Sequence, residues 1–300
     1  MNLPVVHSPD YDARFPADHR FPMGKYTHLI DILRSDGLIE GSGYHRPEPA
    51  GAQILSLAHD RAYVEQVVAA TVPQPIEKII GFPVCERVAL RARVATAGTI
   101  LAARLALEDG LACNTAGGSH HARHAHGAGF CTFNDVAVAA KLLLNEGTIS
   151  RALVIDLDVH QGDGTAEIFE DEPRVFTVSV HAERNYPNEK AASDMDIALP
   201  DGVRDDAYIE IVEDTLICAM LGGRPDIVFY NAGVDPHHAD RIGRLCLTDE
   251  GLRRREKLVI GFFRERGIPL CGVIGGGYGR DAAAVAARHA ILFHAARDFV

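Results

Sequence analysis

The chain has 300 residues, 47% of them hydrophobic and 24% charged, a make-up that fits a folded globular protein and excludes a disordered or fibrous one. Lys and Arg number 30 against 41 Asp and Glu, a net charge of −11, so the basic surface of a duplex-binding module is not expected. No apolar run approaches the ~20 residues of a membrane span, and Met1-Asn2-Leu3-Pro4-Val5-Val6-His7 has neither the basic start nor the apolar core of a signal peptide. The expectation is a cytoplasmic protein with no nucleic-acid or membrane partner.

Short β-rich runs alternate with longer helical segments. In chain order the pattern predicts a strand at 4–7, a helix at 84–108, a strand at 111–115 and a helix at 134–146. Strands at 152–156 and 175–180 follow, then a helix at 205–221, a strand at 226–231, a helix at 249–266, a strand at 269–274 and a helix at 279–298. Gly110 suits the stop of the first helix, and Thr248 before Asp249-Glu250 suits an N-cap with acidic residues in the first turn. Leu153-Val154-Ile155 and Ile227-Val228-Phe229 show no polar alternation, as in strands covered by helices on both faces. No linker, repeat or composition break appears. Residues 1–300 therefore read as a single α/β domain with a mostly parallel central sheet and helices on both faces. Cys85, Cys113, Cys131, Cys218, Cys246 and Cys271 form no C-x-x-C pair and read as reduced, mostly buried thiols.

In open α/β sheets the ligand site lies beyond the carboxyl ends of the strands. Four predicted strand ends carry polar, Gly-flanked groups there: Gly117-Gly118-Ser119-His120-His121, the run from Asp156 to Gly164, Asn231-Ala232-Gly233-Val234-Asp235-Pro236, and Gly275-Gly276-Gly277-Tyr278-Gly279. Asp158 and His160, two apart in an extended stretch, can point to one side. With Asp235 they make a three-ligand set that leaves a fourth position open, the pattern of a catalytic metal site. Alone, Asp158 reads more readily as a helix cap and His160 as a loop histidine; Asp235 and the four converging strand ends favour the metal. Beside it, His120 and His121 suit acid–base work, with Asp156 and Asp163 as tautomer-fixing partners. Tyr278, on a glycine run able to bend toward the metal, can donate to an oxyanion; packing over the turn is the bland alternative.

GGSHHARHAHGAGFCTFND at 117–135, VIDLDVHQGDGTAEIF at 154–169, VFTVSVH at 175–181, NAGVDP at 231–236 and GGGY at 275–278 together resemble the zinc-dependent histone deacetylase superfamily. That resemblance implies the arginase/deacetylase fold. Gln161, the stretch 240–243 and the short ending after GGGY look most like the class IV branch. By position it implies zinc at Asp158, His160 and Asp235, and His121 as general base and acid oriented by Asp163. It also implies His120 paired with Asp156 to tune the site, and Tyr278 polarising the scissile carbonyl. Gly129 and Phe130 resemble residues lining an acyl-lysine channel, and Tyr186 lies where the family usually places an aromatic wall. A potassium ion is implied at the Asp156 carboxylate, the Ser179 hydroxyl and the main-chain carbonyls of Asp156, Asp158, His160 and Val180. His124 and His126 exceed what the family needs and could line the rim, bind stray metal or do neither.

The leading expectation is a hydrolase removing acetyl or longer acyl groups from the ε-amine of lysine in proteins or peptides. Acetylpolyamine hydrolysis is the nearest alternative, since a cationic substrate would suit the acidic surface. A two-manganese ureohydrolase is disfavoured by Gly162, which stands where a D-x-H-x-D run needs its second Asp. An inactive acyl-lysine-binding module should have lost one of these groups, and all are present.

Overall fold

A computed structural model of the chain describes residues 3–16, 18–40 and 43–300, so the first two residues of the N-terminal stretch discussed above lie outside it. Seven strands form one sheet in the order β1-β2-β7-β6-β3-β4-β5. They are β1 (Val5–Val6), β2 (Leu111–Asn114), β3 (Ala152–Asp156), β4 (Val175–Ala182), β5 (Met195–Leu199), β6 (Ile227–Asn231) and β7 (Leu270–Val273). Every pairing is parallel, so the sheet is more uniform than the mostly parallel one expected.

The apolar runs explain why the sheet is sandwiched. Leu153 and Ile155 of β3, with Val228 and Tyr230 of β6, join a core on one face. Val154 and Phe229 join a second core on the other. The first face is covered by α1 (Lys25–Ser35), α8 (Asp205–Ala219), α9 (Asp249–Arg264) and α10 (Ala282–Arg297). The second is covered by α6 (Asp135–Asn145) and the later turns of α5 (Glu86–Asp109). Strands buried on both sides cannot alternate polar and apolar residues, because every side chain faces a helix layer.

The capping chemistry follows the sequence. Gly110 ends α5 in the left-handed region, φ 85°, with its N–H donating to Ala106. The Thr248 hydroxyl accepts the Gly251 N–H at 3.1 Å at the start of α9. The cysteines are all free, but only Cys113, Cys131 and Cys271 are buried; Cys85 and Cys218 are exposed, so the set is less buried than expected.

Four short helices precede α5: α1, α2 (Ala52–Leu55), α3 (Arg61–Val68) and α4 (Gln74–Ile80). One more, α7 (Asp163–Phe169), follows β3. The chain runs outward from β3 through β4 to β5, then returns to place β6 on the other flank of β3. This reversal opens a crevice at the carboxyl ends of β3 and β6, where ligands bind in open α/β sheets.

Candidate active site

The crevice gathers the expected residues. Asp158 and His160 follow β3, and Asp235 follows β6, its neighbour. The segment 158–160 is a bend and not the extended stretch expected. Convergence arises differently: Asp158 Oδ1 accepts the His160 N–H at 3.0 Å and also lies 3.0 Å from His160 Nδ1. The carboxylate thus folds the chain back so that the imidazole faces it.

Donor atoms of Asp158, His160 and Asp235 all lie within 4.8 Å of one another, and all three residues are buried. Asp235 Oδ1 accepts the Val159 N–H at 2.8 Å. Its Oδ2 has no hydrogen-bond partner, although His160 Nδ1 is 3.1 Å away. Burial, then the Asp158 charge, push the Asp235 pKa up to about 7. Burial opposes a charge on His160 too, but the two carboxylates outweigh it and raise its pKa to about 10. Two crowded carboxylates, one with an orphaned oxygen, around one imidazole nitrogen suit a divalent cation, which neutralises buried charge and completes the unpaired valence.

Next to this set are two His–Asp pairs. His120 Nδ1 lies 2.7 Å from Asp156 Oδ2, and His121 Nδ1 lies 2.6 Å from Asp163 Oδ1, with the two rings 4.0 Å apart. The pairs are chemically unlike. Burial works against charge on His120, yet the Asp156 and Asp158 carboxylates overcome it and raise the pKa to about 9. His121 is lowered to about 4, by burial first and then by the positive His120, against the pull of Asp163. The one imidazole favours its charged form and the other its neutral form, the kind of contrast that suits a pair to different parts in acid–base chemistry.

A cavity of about 390 Å³ reaches this floor, where His121, His160 and Tyr278 line it. Gly129, Phe130 and Tyr186 form its walls. Phe130 sits in the left-handed region, φ 66°, an unfavourable place for a bulky side chain. It is fixed there because its N–H donates to Ile80 at 2.7 Å and that of Gly129 to Ile79 at 3.1 Å, both at the end of α4. The Tyr186 ring meets His121 edge-on at 4.7 Å, so the aromatic side chain expected in the wall lies against that imidazole.

Tyr278 is buried, its ring 6.0 Å from His160 and nearly perpendicular to it. The backbone from the glycine run to Tyr278 is tied to two carboxylates. Gly276 donates to Asp158 Oδ2 at 2.7 Å, and the Tyr278 N–H donates to Asp240 Oδ2 at 2.6 Å. A Cβ at Gly276 would come within 2.1 Å of Asp235 Oδ2, so glycine is needed for close approach. Asp156 and Ser179 are register partners on β3 and β4, with Val180 next to them. His124 and His126 sit away from the cavity. His124 Nδ1 bonds the Ala58 carbonyl and His126 Nδ1 that of Gly127, so their loop is turned toward the α2–α3 connection.

Several supporting residues escaped the sequence reading. Arg123 donates to Asp163 Oδ2 at 2.7 Å, securing the carboxylate that orients His121. Asp135 accepts the Gly118 and Ser119 N–H groups and so anchors the loop leading to His120. Arg255, fully buried on α9, donates to the carbonyls of Gly233 at 2.7 Å and Leu157 at 3.3 Å, joining the loops that carry Asp235 and Asp158. Its charge is met by Glu256, which also accepts from Tyr230. Lys25 is buried behind the glycine run, its Nζ 3.1 Å from the Gly275 carbonyl; burial lowers its pKa to about 8 against the pull of Asp235. Arg255 and Lys25 are long-range partners on helices, joined to no local motif, whereas Arg123 and Asp135 stand inside the 117–135 run with no spacing that tells their roles. Adjacent Arg255-Glu256 on an otherwise apolar helix face was the one signal available.

The chain matches the histone deacetylase domain over residues 19–293. It is 46% identical over 298 residues to an uncharacterized protein of Picosynechococcus sp., covering 99% of each. It is 32% identical over 295 residues to histone deacetylase 2 of Arabidopsis thaliana, covering 94% of this chain and 76% of that one. The crystal structure of an HDAC homolog complexed with SAHA superposes with a TM-score of 0.85 at 26% identity, covering 99% of this chain and 85% of the other.

Proposed function

This chain belongs to the histone deacetylase family, and from that premise we propose that it is a zinc-dependent hydrolase that removes acetyl or longer acyl groups from the ε-amine of lysine in proteins or peptides. Residues 1–300 would act as one catalytic domain. The observation that carries the reading is the buried Asp158–His160–Asp235 set beside two His–Asp pairs of opposite charge tendency at the floor of one cavity.

Asp158, His160 and Asp235 would hold the zinc. When bound, the ion supplies a Lewis acid for the acyl carbonyl and the attacking water. The residues of the chain do the rest. Asp163 engages His121 at Nδ1 and leaves Nε2 as the basic atom on the cavity side. That nitrogen takes a proton from the water and delivers it to the departing lysine amine, which leaves poorly as an anion. His120, kept charged by Asp156, stabilises negative charge as it builds. Burial, then Asp158 and Asp235, hold the Tyr278 phenol well above its usual pKa, so it remains a donor to the oxyanion. Gly129, Phe130 and Tyr186 enclose the aliphatic stem of the lysine and exclude water. A structural potassium ion belongs to the same proposal, at Asp156, Ser179 and the carbonyls of Asp156, Asp158, His160 and Val180. The class IV likeness belongs to the same proposal; of the residues behind it, Gln161 donates to the Ala191 carbonyl and to Asp196, and Asp240 accepts the Tyr278 N–H.

The test is turnover by the zinc-loaded chain of an acetyl-lysine peptide beside an acetylpolyamine and arginine. Acetate release from the peptide, with no urea from arginine, is expected. Binding of the peptide without turnover would instead identify an inactive module.

A further inference from the structure

The chain as a whole is strongly acidic, but the mouth of its cavity is not. The charged side chains at the mouth are Arg20, in the loop before α1, and Lys78, on the last turn of α4; both are exposed and no carboxylate joins them in lining it. Among the described residues no ion pair engages either cation. Exposed Asp18, two residues before Arg20, does not line the cavity, and two other acids are turned to other work. Asp240 accepts the N–H groups of Tyr278, Ile242 and Gly243, and Glu77 accepts that of Val84. The backbone that carries Lys78 is anchored, because the carbonyls of the next two residues, Ile79 and Ile80, take the N–H groups of Gly129 and Phe130 in the cavity wall.

We propose that Arg20 and Lys78 select acyl-lysine substrates whose flanking residues are acidic, an inference that rests on the lysine-deacylase reading. A substrate lysine that reaches the floor through this cavity leaves its peptide backbone and neighbouring side chains at the mouth. Carboxylates there meet two uncommitted cations at short range, inside the ~8 Å over which salt leaves charges unscreened. The net charge of −11 is a sum over the whole chain, buried Asp158, Asp163 and Asp235 included, and charges far from the mouth are largely screened there. The mouth therefore repels the cationic body of an acetylpolyamine, so overall charge points to the wrong substrate class. Each exposed pair contributes modestly, about 1.5–5-fold, and two give a preference on the order of ten-fold.

Three peptides with one acetyl-lysine core, flanked by Asp/Glu, by Ser/Gly or by Lys/Arg, would be compared by kcat/KM at low and moderate salt, with acetylspermidine alongside. The acidic peptide should lead the basic one by about ten-fold, mostly through KM, and acetylspermidine should be poorest. The advantage should shrink with added salt. Arg20→Gln with Lys78→Gln should reduce the acidic-to-basic ratio to near one, and Arg20→Glu with Lys78→Glu should invert it. Equal kcat/KM for the three peptides, or a ratio unchanged in both double variants, would overturn the selection while leaving the deacylase reading standing. No turnover of any peptide would overturn both.

Discussion

Replacing Tyr278 by Phe removes one oxygen and little else. The ring is held by Phe130 at 5.8 Å, Phe21 at 6.1 Å and His160 at 6.0 Å, and its backbone N–H by Asp240, none of which needs the hydroxyl. Packing, and with it ground-state binding of the acyl chain, should survive. What is lost is a donor beside the developing oxyanion, in a buried site where such a bond strengthens as charge builds. Removal of one oxyanion donor elsewhere costs about 2.7–4 kcal/mol, or ~10²–10³ in kcat, and that is the expected loss here. Because burial and the two carboxylates keep the phenol protonated far above neutrality, the parent's basic limb should not arise from Tyr278. Steady-state kinetics on an acetyl-lysine peptide, with metal content measured on the same samples, separates the cases. A variant with parental kcat and only a raised KM would show that Tyr278 holds substrate and stabilises no oxyanion.

His121→Ala should keep its metal and lose at least ~10²-fold in kcat, while His124→Ala, whose ring bonds the Ala58 carbonyl away from the cavity, should stay near the parent; equal losses would refute the division between them. Arg255→Met would leave Glu256 buried without its cation and should cost about 3–5 kcal/mol in urea unfolding, much of it regained when Glu256→Gln is added. His59 Nε2 accepts the Asn134 N–H, and burial lowers its pKa to about 4, below the ~6.5 of the unfolded chain. Both states are neutral above that value; as pH falls from ~6.5 toward 4 the unfolded state binds the proton first and stability drops, by about 2 kcal/mol at pH 5. His59→Gln should flatten that part of the stability–pH curve, and an unchanged slope would count against it.

The sheet was legible because its central strands are buried on both faces. Leu153-Val154-Ile155 cannot be read as amphipathic, and β3 appears at the predicted residues. β5 was missed for the opposite reason: it is an edge strand, and Met195, Ile197 and Leu199 alternate with Asp196 and Ala198. Three of the helices before α5 have only 4, 8 and 7 residues, and local contacts start them; α3, for example, begins where Asp60 accepts the Ala62 and Tyr63 N–H groups. The candidate site was legible where chemistry is concentrated at strand ends, and all of Asp158, His160, Asp235, His120, His121 and Tyr278 converge. Its supports were not, because Arg255, Asp240 and Lys25 act across separations that only the fold closes. Net charge is a sum over the chain and says nothing of where Arg20 and Lys78 lie, beside the cavity.

Metal content read beside turnover tests the deacylase assignment most directly. The purified chain should hold about one divalent ion. Chelation should abolish acetate release from an acetyl-lysine peptide, and one equivalent of zinc should restore it. Asp158→Ala and Asp235→Ala, each stripped of a carboxylate from the buried set, should retain no ion under the same conditions while unfolding as cooperatively as the parent. Undiminished acetate release by the stripped protein, or full metal occupancy with intact activity in both variants, would contradict the assignment.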